Sequence, residues 1–156
     1  IGIPCVTLDE ALFDSKLGFD QEIMKVIDNY QAEVIILAGY MRILSADFIS
    51  KYSGKILNIH PSLLPKFPGL NTHQRAIDAS EKKHGASVHF VTEEVDGGPV
   101  IAQQSVNIDS TDNPQTLAKK VIEKEHILYP KVIRWYTQGR LKLVNKNTAT
   151  LDEKIL

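Results

Sequence analysis

The run Val34-Ile35-Ile36-Leu37-Ala38, closed by Gly39, constrains the fold more than any other stretch of these 156 residues. It is short, continuous and rich in β-branching. Such a run predicts a strand buried on both faces, the habit of strands in parallel sheets. Ahead of it, Phe19, Ile23, Val26, Ile27 and Tyr30 recur at helical spacing behind the capping oxygens of Asp14 and Ser15. That pattern predicts an amphipathic helix over roughly 16–30. Ile3 to Leu8 reads as a further short strand. After the central run, Ser45 can cap a short helix over 46–52, Gly54 closes it, and Ile56 to His60 is the next strand. Strand, helix and strand over such short spans indicate an α/β fold.

The rest of the chain carries its own punctuation. Pro61 to Gly69 contains three prolines and reads as a loop, and 73–80 as a helix. Ser87 to Thr92 alternates like a strand, Asp96-Gly97-Gly98-Pro99 is a turn, and Val100 to Ile108 is a returning strand. Asn113 before Pro114 matches a helix start. That helix reaches about Gln138 with Leu117, Val121, Leu128, Val132 and Trp135 on its buried face, and Pro130 is expected to kink or split it. Gly139 stops it, Leu141 to Val144 is a last strand, and the tail is expected to be loose. No repeat or linker interrupts the chain, so residues 1–156 read as a single domain.

Charge and cysteine content narrow the partners. A formal net charge of -1 gives no bulk attraction to nucleic acid or an anionic membrane. The one cysteine, Cys5, excludes an intrachain disulfide and fits a reducing, cytoplasmic compartment. No apolar run approaches the roughly 18 residues of a membrane span, and no signal-peptide pattern opens the chain.

Asn58 and His60 lie two apart on a predicted strand, so both point to one side. They sit at its carboxyl end, where open α/β sheets bind ligands. An amide donor beside an imidazole suits the stabilisation of charge on a carbonyl oxygen. The alternative is a loop-capping asparagine and a hydrogen-bonded structural histidine. Asp96, in Val95-Asp96-Gly97-Gly98-Pro99, is either a hairpin-turn residue or a carboxylate that orients an imidazole and favours its protonated form. The remaining histidines, His73, His84, His89 and His126, show no tight ligand spacing, so no metal is expected. Ser62 and Ser87 lack a nucleophile elbow, and no dinucleotide or Walker loop is present. Glu125-His126 is a polar pair that either lines a cleft or lies on the surface.

Asn58-Ile59-His60-Pro61-Ser62-Leu63-Leu64-Pro65-Lys66-Phe67-Pro68-Gly69-Leu70 resembles the core motif of the glycinamide ribonucleotide transformylases, the folate-dependent phosphoribosylglycinamide formyltransferases. His84 to Ile101, with Val95-Asp96-Gly97-Gly98-Pro99 inside it, is similar to the family signature around its catalytic aspartate. Ala38 to Leu44 and Glu125 to Pro130 resemble further family segments in the right order, and the likeness covers Gly2 to about Leu143. The Asn, His, Asp trio is shared across formyl-folate enzymes. Methionyl-tRNA formyltransferases usually carry an arginine-glycine-alanine loop, and formyltetrahydrofolate hydrolases a second histidine where this chain has Pro61. Pro61, Leu63, Phe67-Pro68-Gly69-Leu70 and Thr72-His73 favour the glycinamide ribonucleotide branch.

The resemblance implies a mainly parallel, Rossmann-like sheet flanked by helices. It also implies formyl transfer from 10-formyltetrahydrofolate to the amine of glycinamide ribonucleotide in purine synthesis, with no metal. Asn58 and His60 would stabilise the oxyanion, each donor at about 3 kcal/mol, with Asp96 holding His60 in its charged form. Met41, Arg42, Ile43 and Leu44 would form one wall of the pterin pocket. Thr92, Glu93, Glu94, Val95 and Asp96 would form the other. Lys16 stands where the family pattern has an arginine on the folate, and loses the planar fork. Ile122, Glu123, Lys124 and Glu125 would meet the ribonucleotide, and His73 would approach on loop closure. The family opens with a strand, a glycine-rich phosphate loop and a helix, whereas this chain begins at Ile1-Gly2-Ile3-Pro4. The expectation is therefore an N-terminally truncated fragment lacking one βαβ portion. Such a fragment would bind folate weakly, turn over poorly, and associate or dimerise through exposed sheet edge. The alternatives are a formyltetrahydrofolate hydrolase with water as acceptor, and a catalytically inactive folate-binding fragment.

Overall fold

The structure, a computed structural model, describes residues 2–156. Its elements are α1 (Lys16–Asn29), β1 (Ile35–Leu37), α2 (Ala46–Lys51), β2 (Ile56–His60), α3 (Thr72–Asp78), β3 (Lys83–Phe90), β4 (Val100–Asn107), α4 (Pro114–Thr137), β5 (Leu141–Asn145), β6 (Thr148–Leu151) and β7 (Lys154–Ile155). Three helix starts follow directly from local chemistry. Ser15 accepts from the Gly18 N–H, Ser45 from the Phe48 N–H, and Asn113 caps α4 in a reciprocal box with Thr116.

Strands β1 to β4 form one sheet in that order. Alternation along β2 divides the core. Ile56 faces α1 and α2, packing with Leu44, Phe48, Ile49 and Tyr52. Leu57 faces the other way, packing with Ala86, Val88, Phe90 and the α4 residues Leu117, Val121, Leu128 and Val132. Helices therefore cover both faces, as an α/β sheet requires. The parallel pair is β1–β2, with Leu37 beside Asn58. The strands β3 and β4 join antiparallel because a tight Asp-Gly-Gly-Pro turn returns the chain directly. Tyr129, from α4, ties the layers by donating its hydroxyl to the carbonyls of Leu37 and Leu57.

Several expectations need correction. Residues 3–8 form no strand; the stretch is largely exposed and pairs with no other strand, and Pro4 has no N–H to offer a ladder. Strand β1 is three residues long and not buried on both faces. Ile36 is 37% exposed, and β1 is an edge of the described sheet. Strand β3 begins at Lys83, earlier than alternation predicts, because Gly85 and Ala86 are small enough to lie buried against their neighbours. Helix α4 is not split at Pro130 but continues as one element to Thr137, with Leu128, Tyr129 and Val132 buried around the proline. The tail is not loose: β5, β6 and β7 form a second, antiparallel sheet that adds Leu141 and Ala149 to the main core.

Candidate active site

Strand β2 ends where the Pro61–Gly69 loop begins, and its alternation puts Asn58 and His60 on one face. The partner strand β3 presents His89 opposite Asn58 and Ser87 opposite His60. Asp96 arrives from the β3–β4 turn. It sits at a positive φ of 52°, a conformation that aspartate tolerates better than most residues. Gly98 makes that turn possible, since a Cβ there would overlap the Phe90 carbonyl.

These elements bring the expected trio together. His60 Nδ1 lies 3.3 Å from Asp96 Oδ2, and both side chains are almost fully shielded, at 7% and 13% exposure. His60 Nε2 lies 2.9 Å from the carbonyl of Phe67. Both ring nitrogens thus face acceptors, and a neutral ring could donate to only one of them. Asp96 Oδ2 also accepts the Gly69 N–H at 2.8 Å. Burial alone would raise the Asp96 carboxyl. The Gly69 N–H and the neighbouring His60 oppose that by favouring the ionised form.

His89 is the fourth member, which the sequence reading passed over as one of several histidines. Its Nδ1 lies 2.8 Å from the Phe90 carbonyl, so that nitrogen carries the proton in the neutral ring. Its Nε2 then accepts from Asn58 Nδ2 at 3.1 Å and stands 3.5 Å from Asp96 Oδ1. One hydrogen of the Asn58 amide is thereby engaged and the second is left to point outward. The signal was present, since His89 and Ser87 share a face of β3, but the register linking His89 to Asn58 is not written in either strand alone.

The loop beside this cluster is pinned from beneath. Ser87 Oγ accepts from the Leu64 N–H and from Gln103 Nε2, and donates to the Ser62 carbonyl. His73 and His84 form a neighbouring pair, with His84 Nε2 3.1 Å from His73 Nδ1. Burial, then the neighbouring His73, pushes His84 down to about 4. His73 is also lowered, by burial first and then by the charge of His60.

The other expected contacts are distributed unevenly. Because Leu37 pairs with Asn58, the chain from 38 to 44 leaves the sheet at the same edge as the trio. Met41 and Ile43 are exposed there, at 79% and 59%, while Leu44 is buried. Arg42 is turned inward instead, paired with Glu10 and stacked 4.5 Å over the Phe19 ring. Glu93, Glu94 and Val95 lie exposed on the β3–β4 connection, with Thr92 half-buried before them. Lys16 opens α1 and is exposed. On α4, Ile122 and Glu123 are exposed and Lys124 half-buried. Glu125 is half-buried, and its carboxyl is raised by that burial, with His126 opposing. Among the described residues no group of three or more His, Cys, Asp or Glu is placed to hold a metal ion, and no helix is long and apolar enough to cross a membrane.

The arrangement brings an imidazole, an amide donor and a shielded carboxylate together at the end of β2, the requirements for polarising a carbonyl and moving a proton. Known proteins of similar sequence and fold include several formyltransferases. The chain is 50% identical to the phosphoribosylglycinamide formyltransferase of Escherichia coli (strain K12) over 97% of its own length and 71% of that protein. It is 48% identical to the phosphoribosylglycinamide formyltransferase of Haemophilus influenzae over 92% of this chain and 68% of that protein. The solved structure of the Coxiella burnetii phosphoribosylglycinamide formyltransferase superposes with a TM-score of 0.87 at 49% identity, covering 92% of this chain and 67% of that one. Residues 1–133 match the formyl transferase family model, and the chain belongs to that family.

Proposed function

We propose that this chain carries the folate-facing, catalytic part of a phosphoribosylglycinamide formyltransferase, transferring a formyl group from 10-formyltetrahydrofolate to the amine of glycinamide ribonucleotide. One observation carries the reading: Asn58, His60 and Asp96 converge at the carboxyl end of β2, beside a segment with unpaired main chain. From Gly39 to Leu44 no main-chain hydrogen bond is made among the described residues. Free N–H and C=O groups flanked by exposed Met41 and Ile43 suit a flat heterocycle edged with donors and acceptors. The branch of the family is supported by the 50% identity to a protein of that name and by Pro61 beside His60.

The chemistry then falls to this chain's own residues. The bound co-substrate brings the formyl group and the nitrogen it departs from. Asn58, held through one amide hydrogen by His89, directs the other at the formyl oxygen as charge builds there. His60 adds a second donor and holds the proton that the leaving nitrogen needs. Asp96 orients the His60 ring at Nδ1 and balances its charge. The Phe67 carbonyl must give up His60 Nε2 before that nitrogen can serve the substrate. Glu125, half-buried on α4, would meet the ribonucleotide, where a carboxylate positions an amine. A cytoplasmic setting suits a chain whose lone cysteine, Cys5, is free and exposed.

The test is a formyl-transfer assay that follows release of tetrahydrofolate with and without glycinamide ribonucleotide. Release that requires the ribonucleotide, and that collapses in His60→Ala, supports the reading. Formate release independent of the ribonucleotide would assign the chain to hydrolysis instead.

A further inference from the structure

The segment from Gly39 to Leu44 is held from below at few points, since its main chain bonds to nothing among the described residues. Leu44 is buried with Phe48 and Ile56, Arg42 stacks on Phe19, and one hydrogen bond fixes the segment's end. That bond runs from the Ser45 N–H to Asp20 Oδ2, at 2.8 Å. Asp20 lies on α1, adjoining Phe19, and is fully buried. Among the described residues its second oxygen, Oδ1, has no hydrogen-bond partner, and neither has the buried hydroxyl of Tyr40 or the Nε of Arg42. Burial, then the charge of Asp20, pushes the Tyr40 phenol up to about 12.

A carboxylate kept only to stabilise the fold is poorly used in this way. Buried polar atoms are nearly always satisfied, and a buried charge with idle acceptors is costlier than an apolar side chain of its size. The unpaired atoms cluster on and under one segment, the same one whose main chain is left free. We propose that Asp20 is a positioning residue for the folate co-substrate: through the Ser45 N–H it sets the shape of residues 39–44 in which their unpaired main-chain groups meet the heterocycle. This rests on the folate reading of the site. Asp20 itself stays behind the segment and touches no reacting atom.

The experiment titrates tetrahydrofolate into the unsubstituted protein, Asp20→Ala and Asp20→Asn by calorimetry, with amide hydrogen exchange over 39–45 and thermal melting on each. Removing the acceptor in Asp20→Ala weakens tetrahydrofolate binding by about tenfold or more, the worth of one hydrogen bond to a charged group. In steady state the same loss falls on KM for the formyl donor, while kcat at saturation changes by less than about threefold. Asp20→Asn keeps an oxygen for the Ser45 N–H, and so restores most of the affinity together with protection of the Ser45 amide. Tetrahydrofolate binding in Asp20→Ala within about twofold of the unsubstituted protein overturns the proposal. If Asp20→Ala fails to fold, Asp20→Asn decides: faster exchange at Ser45 with unchanged affinity for tetrahydrofolate overturns it equally. A folded, unsubstituted protein that binds no tetrahydrofolate fails the functional reading itself, an outcome distinct from either.

Discussion

Each of the four clustered side chains does its part because a neighbour fixes its hydrogen-bonding state. His60 is pressed between two acceptors, Asn58 is turned by His89, and Asp96 accepts a backbone N–H while facing the His60 ring. Asn58→Ala removes an oxyanion donor and should lower kcat by about 10²–10³ with little change in KM for the formyl donor. Steady-state kinetics would read it, and an equal loss in KM alone would assign Asn58 to ground-state binding. His89→Ala should produce a smaller fall, of about tenfold, because it frees the Asn58 amide to rotate without deleting it. A His89 variant as impaired as the Asn58 variant would show that His89 itself meets the substrate.

Among the secondary-structure elements, α3 hangs on a histidine pair. His84 is 1% exposed, and its proton affinity is pushed down to about 4 beside His73. The folded state therefore binds fewer protons than the unfolded chain between about pH 4 and 6.5, and stability rises with pH across that window. The contribution of neutral His84 is complete above about pH 6.5 and lost as the pH falls toward 4, a cost of up to about 3 kcal/mol. Hydrogen exchange should show α3 and the loop before it loosening first on acidification, and His84→Gln should flatten that dependence. A pH-independent exchange profile at α3 in the unsubstituted protein would refute the assignment. What the sequence disclosed at this level follows from how local the cause is. Ser15, Ser45 and Asn113 cap their helices with atoms two or three residues away, so those starts could be read. The exposure of Ile36, the early start of β3 and the sheet of the tail depend on which strands lie alongside. Pairing of that kind leaves no mark within the strand itself. The same distinction separates Asn58 and His60, legible through alternation and motif, from His89 and Asp20, whose partners lie 31 and 25 residues away.

At the scale of the whole molecule, two cores share one sheet, and their division falls between adjacent residues, Ile56 and Leu57. The larger core runs continuously from β2 through α4 into β5 and β6, so the C-terminal sheet is packed as part of the body. Leu141 is 2% exposed and Ala149 1%, both against the α4 side of the core. Trp135, on α4, packs at the edge of the same cluster and reports on it. If that continuity is energetic as well as geometric, the tail cannot melt first. Leu141→Ala should then cost about 2–5 kcal/mol through lost burial and the cavity left behind. Its denaturation midpoint should fall without separating Trp135 fluorescence from far-ultraviolet circular dichroism. Coincident curves at a lower midpoint mean that β5–β7 and the sheet carrying Asn58 and His60 unfold as one unit. Two separate transitions, with catalysis surviving the first, would mean that the tail is an appendage and that the site's rigidity comes from α4 and β1–β4 alone.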